Sequence, residues 1–162
     1  MNYTESEFWK DLKSGKIACM IKEKSAGQSV ASAIEVYNVM KPLYAKEDDV
    51  EVLYCLFLNG KNKILSVEKM FTGSISGAAV YPREIIKKAL HFKAAAVILV
   101  HNHPSGDTTP SQDDQNVTRK VVVALSSIDI KLHDHIIVGD GYYSMEEDGL
   151  IESMRSPALI SI

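Results

Sequence analysis

Residues 94–114 read AAAVILVHNHPSGDTTPSQDD, and the fold of the chain follows from how this stretch is parsed. Ala94 to Val100 is a short, almost unbroken apolar run of aliphatic and β-branched residues, the pattern of a strand buried on both faces. His101 and His103 stand at its C-terminal end. Side chains alternate along a strand, so residues two apart point to the same side and both imidazoles face one cavity. Pro104-Ser105-Gly106-Asp107 has turn chemistry. Ser111 then opens a helix through Val117, Val121, Val122 and Leu125, with Asp114 in its first turn.

Two imidazoles and a carboxylate within reach of one point suit a metal ion. Catalytic zinc commonly takes three protein ligands and keeps one position for water. His101, His103 and Asp114 supply that set for one Zn2+ per chain. Taken alone, Ser111-x-x-Asp114 reads better as a helix cap, in which both side chains merely satisfy amide groups. It is the order of strand, H-x-H-P, glycine-containing turn and S-x-x-D at a helix start that points to a metal. Hydrolysis at such a site also needs a carboxylate that is not a ligand, to take a proton from water and return it to the leaving group. Glu47, Glu51, Glu68 and Glu84 lie upstream. Glu51 immediately precedes the apolar run VLYCLFL and reads equally as a catalytic base at the sheet edge or as a solvated residue at a strand start. Glu84 follows Pro82 by two residues, which suggests a helix start where an acid complements the dipole.

The spacing H-x-H-P-x6-S-x-x-D, here His101 to Asp114, resembles the JAMM (MPN) metallopeptidase signature, and HNHPSGDTTPSQDD is similar to the RadC branch of that superfamily. Glu51-Val52, Tyr81-Pro82-Arg83-Glu84, Ala94-Ala95-Ala96 and Asp134-His135-Ile136-Ile137-Val138-Gly139 also match, so the likeness runs from about Ala26 to Ile151. The resemblance implies an α/β fold, a mixed β-sheet flanked by helices, similar to that of cytidine deaminases. It implies zinc on His101, His103 and Asp114, Glu51 as general acid/base and Ser111 as donor to the oxyanion. The implied substrate is a peptide or isopeptide bond in a peptide or protein. Glu51 would move the proton from the attacking water to the departing amine. The family carries a DNA-repair label, but the N-terminal helix-hairpin-helix region of its longer members has no counterpart signature here. Some JAMM relatives lack ligands and act as scaffolds, which leaves a non-catalytic binding protein or a DNA-associated factor as the alternative.

Composition fits one globular core. The chain has 162 residues, 46% of them hydrophobic, and a formal charge of −3. That balance gives no general attraction for nucleic acid or anionic membrane, although a local basic patch is compatible with it. No apolar stretch approaches the roughly 18 residues of a membrane span, and MNYTESEFWK lacks the features of a signal peptide, so the expected location is cytoplasmic. Cys19 and Cys55 are far apart and form no C-x-x-C, which reads as two reduced, structural thiols. Oligomeric state does not follow from the sequence.

The layout expected is an N-terminal helix/strand extension over 1–25, the RadC-like domain over 26–153 and a tail over 154–162. Thr4-x-x-Glu7 reads as a capping box for a helix ending before Gly15, with Phe8, Trp9 and Leu12 as its apolar face. Lys16 to Ile21 reads as a strand, and Ser29 as the cap of a helix through Ile34 and Tyr37 that stops before Pro42. Glu51 to Leu58 and Lys63 to Lys69 form a hairpin about Asn59-Gly60. Arg83 to Phe92 is a helix with Ile86, Ala89 and Leu90 inward, and Asp134 to Val138 pairs with Tyr142 to Met145.

His133-x-His135 repeats the H-x-H spacing, but no carboxylate follows at helix spacing, so a supporting or structural role for His135 is expected. Lys87-Lys88 and Arg119-Lys120 read as solvated helix faces, and the Gly73, Ser74, Ser76, Gly77 cluster as a turn-rich connection or a substrate edge. The letters HNH do not make a nuclease motif, whose residues are spread along a ββα unit. Two histidines and a carboxylate also suit iron oxygenases, but the helices after Pro82 and at Ser111 argue against their all-β frame.

Overall fold

The computed structural model describes residues 4–45, 49–75 and 80–155. Five strands form one sheet in the order β2-β1-β3-β4-β5. They are β1 (Val52–Leu58), β2 (Ile64–Thr72), β3 (Ala96–Asn102), β4 (Lys131–Gly139) and β5 (Gly141–Ser144). β1 runs antiparallel to both β2 and β3, β3 and β4 are parallel, and β5 returns antiparallel to β4. This is the expected α/β arrangement with a mixed sheet, and the α5 crossover between β3 and β4 is what makes their pairing parallel.

Strand alternation assigns each residue to one of two cores. Val52, Tyr54, Leu56 and Leu58 of β1 pack with Ile98 and Val100 against α3 (Ala33–Met40) and the 3-10 turn Lys41–Tyr44. Leu53, Cys55 and Phe57 pack with Val97 and Leu99 against α4 (Pro82–His91), α5 (Gln112–Ser126) and α6 (Leu150–Arg155). Every residue of β1 and β3 is buried, as apolar runs without polar alternation require. His101 continues the parity of Val97 and Leu99, so it faces α5.

β4 interrupts its own alternation. Val97 pairs with Leu132 but Ile98 pairs with Asp134, so His133 is the extra residue of a β-bulge. Leu132 and Ile137 therefore sit in the core beneath α4 to α6, while Ile136 and Val138 sit in the other. His133 and Asp134 both line a cavity on the α3 side, together with Val30 and Ser32.

Several expectations are corrected. Lys16–Ser25 is a helix, α2, and not a strand, so the described part of the N-terminal segment holds two helices joined by a turn at Ser14-Gly15. The segment is too short for alternation to be diagnostic, Ile17 and Ile21 are one turn apart, and Ala, Met, Lys and Glu favour helix. Ser29 does not cap α3. It bridges Lys63 at the sheet edge, and Ser32 is the N-cap. Leu90 is exposed, because Ile85 and Ala89, one turn apart, set the buried phase of α4. β4 begins at Lys131, before Asp134. The first helix, α1 (Glu5–Lys13), has its capping box, yet only Leu12 of its apolar face is buried and Phe8 and Trp9 are exposed. Cys55 is buried in β1, where burial pushes its thiol up, and Cys19 is free and exposed. No helix among the described residues is long and apolar enough to cross a membrane.

Candidate metal centre

His101, at the end of β3, is fully buried, and His103 follows just past the strand, so both rings turn towards the start of α5. Ser111 is the N-cap of α5, and its Oγ accepts from the Asp114 N–H at 3.0 Å. Asp114 Oδ2 accepts from the Ser111 N–H at 2.7 Å, which completes a capping box and aims Oδ1 and Oδ2 at the imidazoles. The capping and metal readings of Ser111 and Asp114 thus coexist in one geometry. His101 Nε2 lies 3.3 Å from Asp114 Oδ1, and His103 Nε2 lies 3.3 Å from Asp114 Oδ2. The two Nε2 atoms are 2.9 Å apart.

Both imidazoles have their other nitrogen occupied. His103 Nδ1 donates to the Asp107 carbonyl at 2.7 Å, which leaves Nε2 as a lone pair, and His101 Nδ1 meets His135 Nε2 at 2.7 Å. Two imidazole nitrogens and a carboxylate at such separations call for a cation between them. In the metal-free cluster, hydrogen bonding to Asp114 holds the His103 imidazole above its usual value. Burial works to raise the Asp114 carboxyl, but the bonds to His101 and His103 outweigh it and hold it well below the usual range. The donor set fits a divalent metal: donors about 2.0–2.1 Å from a tetrahedral zinc lie about 3.3 Å from one another. These three side chains could therefore hold a metal ion, their ligand atoms all lying within 4.8 Å of one another.

A cavity of about 290 Å³ opens beside His103 and Asp114, lined also by Glu51, Ser74, Ser111 and Asp113. Of the described candidates Glu51, Glu68 and Glu84, Glu51 is the one in this cavity. Glu68 is bound to Lys88 and Ser66, Glu84 to Lys87, and Glu47 lies outside the described residues. One Glu51 oxygen accepts from the Ile75 N–H at 2.9 Å, and its main-chain carbonyl accepts from the Gly73 N–H at 2.8 Å. The Gly73–Ile75 segment therefore borders the site; Ser76 and Gly77 lie outside the described residues.

Sequence reading missed Asn102. Strand parity turns it away from its two histidine neighbours and towards β1, where Oδ1 accepts from the Val52 N–H at 2.7 Å and Nδ2 donates to the Val50 carbonyl at 3.0 Å. The amide thus clamps the main chain on both sides of Glu51. Asp113 was missed as well: it is exposed in the first turn of α5, and only its place at the cavity marks it.

The loop carrying His103 is tied down by main chain. The His103 N–H donates to the Val138 carbonyl at 2.8 Å and the Asp140 N–H to the Gly106 carbonyl at 2.8 Å. Gly106 has φ +86°, and a Cβ on Gly139 would lie 2.5 Å from the Gly106 oxygen. Both positions require glycine, one for its backbone angle and one for space.

His133 and His135 part company. His135 is fully buried beside His101, with Nδ1 2.6 Å from Thr118 Oγ1, and burial holds its imidazole well below the usual value. His133 is turned away and meets Asn62 Oδ1 at 3.0 Å.

A mixed sheet whose central strand ends in two convergent imidazoles, completed by an aspartate from a helix cap, defines a fold of the JAMM/MPN metallohydrolase type. The chain belongs to the RadC-like JAB domain family, whose model matches residues 30–150. It is 53% identical over 102 residues to UPF0758 protein YfjY of Escherichia coli (strain K12), covering 62% of this chain and 64% of that protein. To a UPF0758 protein of Thiobacillus denitrificans (strain ATCC 25259 / T1) it is 41% identical over 131 residues, or 80% of this chain and 58% of the relative. UPF0758 protein YkfG of Escherichia coli (strain K12) is 52% identical over 97 residues, 59% of this chain and 61% of YkfG. The chain thus spans less than two thirds of the length of each of these relatives.

Proposed function

We propose that the protein is a zinc-dependent hydrolase of peptide or isopeptide bonds, with Glu51 as general acid/base and Ser111 as oxyanion donor. His101, His103 and Asp114 would hold the zinc, which when bound supplies a Lewis acid and lowers the pKa of water from about 15.7 to about 7. The observation that carries the reading is the meeting of Glu51, Ser111, His103 and Asp114 on one cavity of about 290 Å³, with His101 buried against Asp114 behind it. Glu51 is fixed through the oxygen that accepts from Ile75. Its other oxygen takes the proton of the attacking water and later gives it to the amine nitrogen as the C–N bond breaks. Ser111 accepts from the Asp114 N–H, so its own hydroxyl proton is free to donate to the carbonyl oxygen as negative charge builds there. An extended peptide or a lysine side-chain amide reaching the cavity is the substrate class. Action on DNA-bound proteins would join this chemistry to the family's repair label.

The test combines elemental analysis with cleavage of a panel of peptide and isopeptide substrates. Wild type and Glu51→Gln are each expected to hold about one zinc per chain, with turnover confined to wild type. Ser111→Ala is expected to lose about 100- to 1,000-fold in rate, and Asp113→Asn to stay within a few-fold of wild type. Full activity in Glu51→Gln would sink the assignment, and failure of wild type to bind added zinc would leave the scaffold reading.

A further inference from the structure

We infer that His135 and Thr118 are positioning residues that fix the tautomer and orientation of His101 for metal binding, through a hydrogen-bond chain whose polarity is set by the main-chain carbonyl of Asp114. The inference rests on the reading of His101 as a metal ligand. It starts from a proton count. His101 Nδ1 is 2.7 Å from His135 Nε2, His135 Nδ1 is 2.6 Å from Thr118 Oγ1, and Thr118 Oγ1 is 2.5 Å from the Asp114 carbonyl oxygen. His101, Thr118 and His135 are all fully buried, so no water is needed to complete the chain.

A carbonyl oxygen only accepts, and Thr118 has one hydroxyl proton. That proton lies on the bond to Asp114, so Thr118 can only accept from His135 and the proton of His135 sits on Nδ1. His135 Nε2 is then a lone pair that accepts from His101 Nδ1–H. The remaining nitrogen of His101, Nε2, faces Asp114 and His103 as a lone pair, as a metal ligand must. The opposite polarity would place a proton on His101 Nε2 and block the site. A threonine that bonds back to the carbonyl four residues earlier is ordinary in helices; what is particular here is the buried imidazole that its oxygen receives.

The chain also closes on itself. It starts at a ligand on β3, crosses β4 at His135, reaches α5 at Thr118 and ends on the main chain of Asp114, which supplies the third ligand. The strand and helix halves of the centre are thereby held at one separation. The β-bulge absorbs the extra residue His133, so that residue 135 stays on the face that His101 occupies.

The experiment uses the full chain, with zinc as probe and a chromogenic chelator as competitor. Thr118→Val keeps the side-chain shape and removes the acceptor; zinc affinity is expected to fall about 10- to 100-fold. Thr118→Ser, which keeps the hydroxyl, is expected to stay within a few-fold of wild type, a recovery that packing alone does not explain because serine is smaller than valine. A second measurement on zinc-loaded wild type needs no variant. Nitrogen-15 NMR of the histidine rings is expected to place the His135 proton on Nδ1 and to show an N–N coupling across the His101–His135 hydrogen bond. A proton on His135 Nε2, or equal zinc affinity in wild type and Thr118→Val, overturns the proposal while leaving the metal site standing. Wild type that binds no zinc overturns both.

Discussion

The chain carries the same spacing twice, His101-Asn102-His103 at the end of β3 and His133-Asp134-His135 inside the neighbouring parallel strand β4, and the two copies differ in what they hold. In the first, both imidazoles converge to within 2.9 Å. In the second a β-bulge sends His133 to the far face and leaves His135 alone beside His101. The middle residues differ as well. Asn102 reaches sideways to hold the entry of β1, whereas Asp134 accepts from Ser144 Oγ at 2.6 Å and the Glu146 N–H at 2.9 Å and so holds the end of β5. Even the carboxylates diverge. Burial raises the Asp134 carboxyl, since its neutral donors do not offset the lost hydration, while the imidazoles hold Asp114 low. An H-x-H spacing locates two side chains only when the strand under it is regular and a helix end supplies the third group.

The sharpest way to break the comparison is to remove one histidine from each pair. His103→Ala is expected to abolish stoichiometric metal binding, measured by elemental analysis, whereas His133→Ala is expected to retain about one ion per chain. Equal loss in both variants would erase the distinction drawn between the pairs.

The middle residues come next. Asn102→Ala removes two buried hydrogen bonds and frees the main chain around Glu51. It is expected to lower turnover about 10- to 100-fold with metal retained, in keeping with the cost of small misplacements at a catalytic group. Asp134→Ala is expected to cost about 1–3 kcal/mol in denaturant unfolding while metal content stays at the wild-type level.

Acidification separates the pairs more gently. The His103 pKa is raised, so the stabilisation it brings to the metal-free protein is fully present below about pH 6.5 and is lost as pH rises through the raised value. Metal binding runs the other way. Protons compete for His103 Nε2, so affinity is expected to rise about tenfold per pH unit up to the raised value and then level off. Calorimetric melting of the metal-free and zinc-loaded forms across pH 6 to 8 checks both slopes. Parallel slopes would contradict the assignment of His103 as ligand.

The smallest effect expected is from deleting His133. Leu132 and Asp134 already occupy opposite faces, so removing the residue between them leaves a regular ladder with His135 still inward. Zinc affinity within a few-fold of wild type is expected. A loss as large as that of Thr118→Val would mean that the bulge itself shapes the centre.

The convergence of His101, His103 and Asp114 was legible because each of its determinants is local. The period of β3 places His101 and His103, turn chemistry brings the chain back, and the capping box aims Asp114. Glu51 stayed one of two readings, because a residue ahead of a strand has no periodicity of its own. What places Glu51 at the cavity is the Ile75 N–H and the cavity wall, both set by segments distant in sequence. Asn102, Thr118 and the bulge at His133 were illegible for the same reason: each depends on the neighbouring element and not on its own flanks. The strand expected at Lys16 failed where local evidence was thinnest, in a short apolar run of residues that also favour helix. Leu90 was misplaced by a small error of helical phase.

The close approach of Gly106 and Gly139 bears on time as well as on shape. The His103 loop lies so near the β4–β5 turn that its main chain is shared between them, through the bonds to Val138 and Asp140. The main chain at His103 therefore cannot move away from the cluster by itself; the end of β4 and the turn after it must part from the loop in the same event. Any main-chain opening of the His103 side of the centre is thereby coupled to parting of a hairpin that contributes no ligand-set residue of its own.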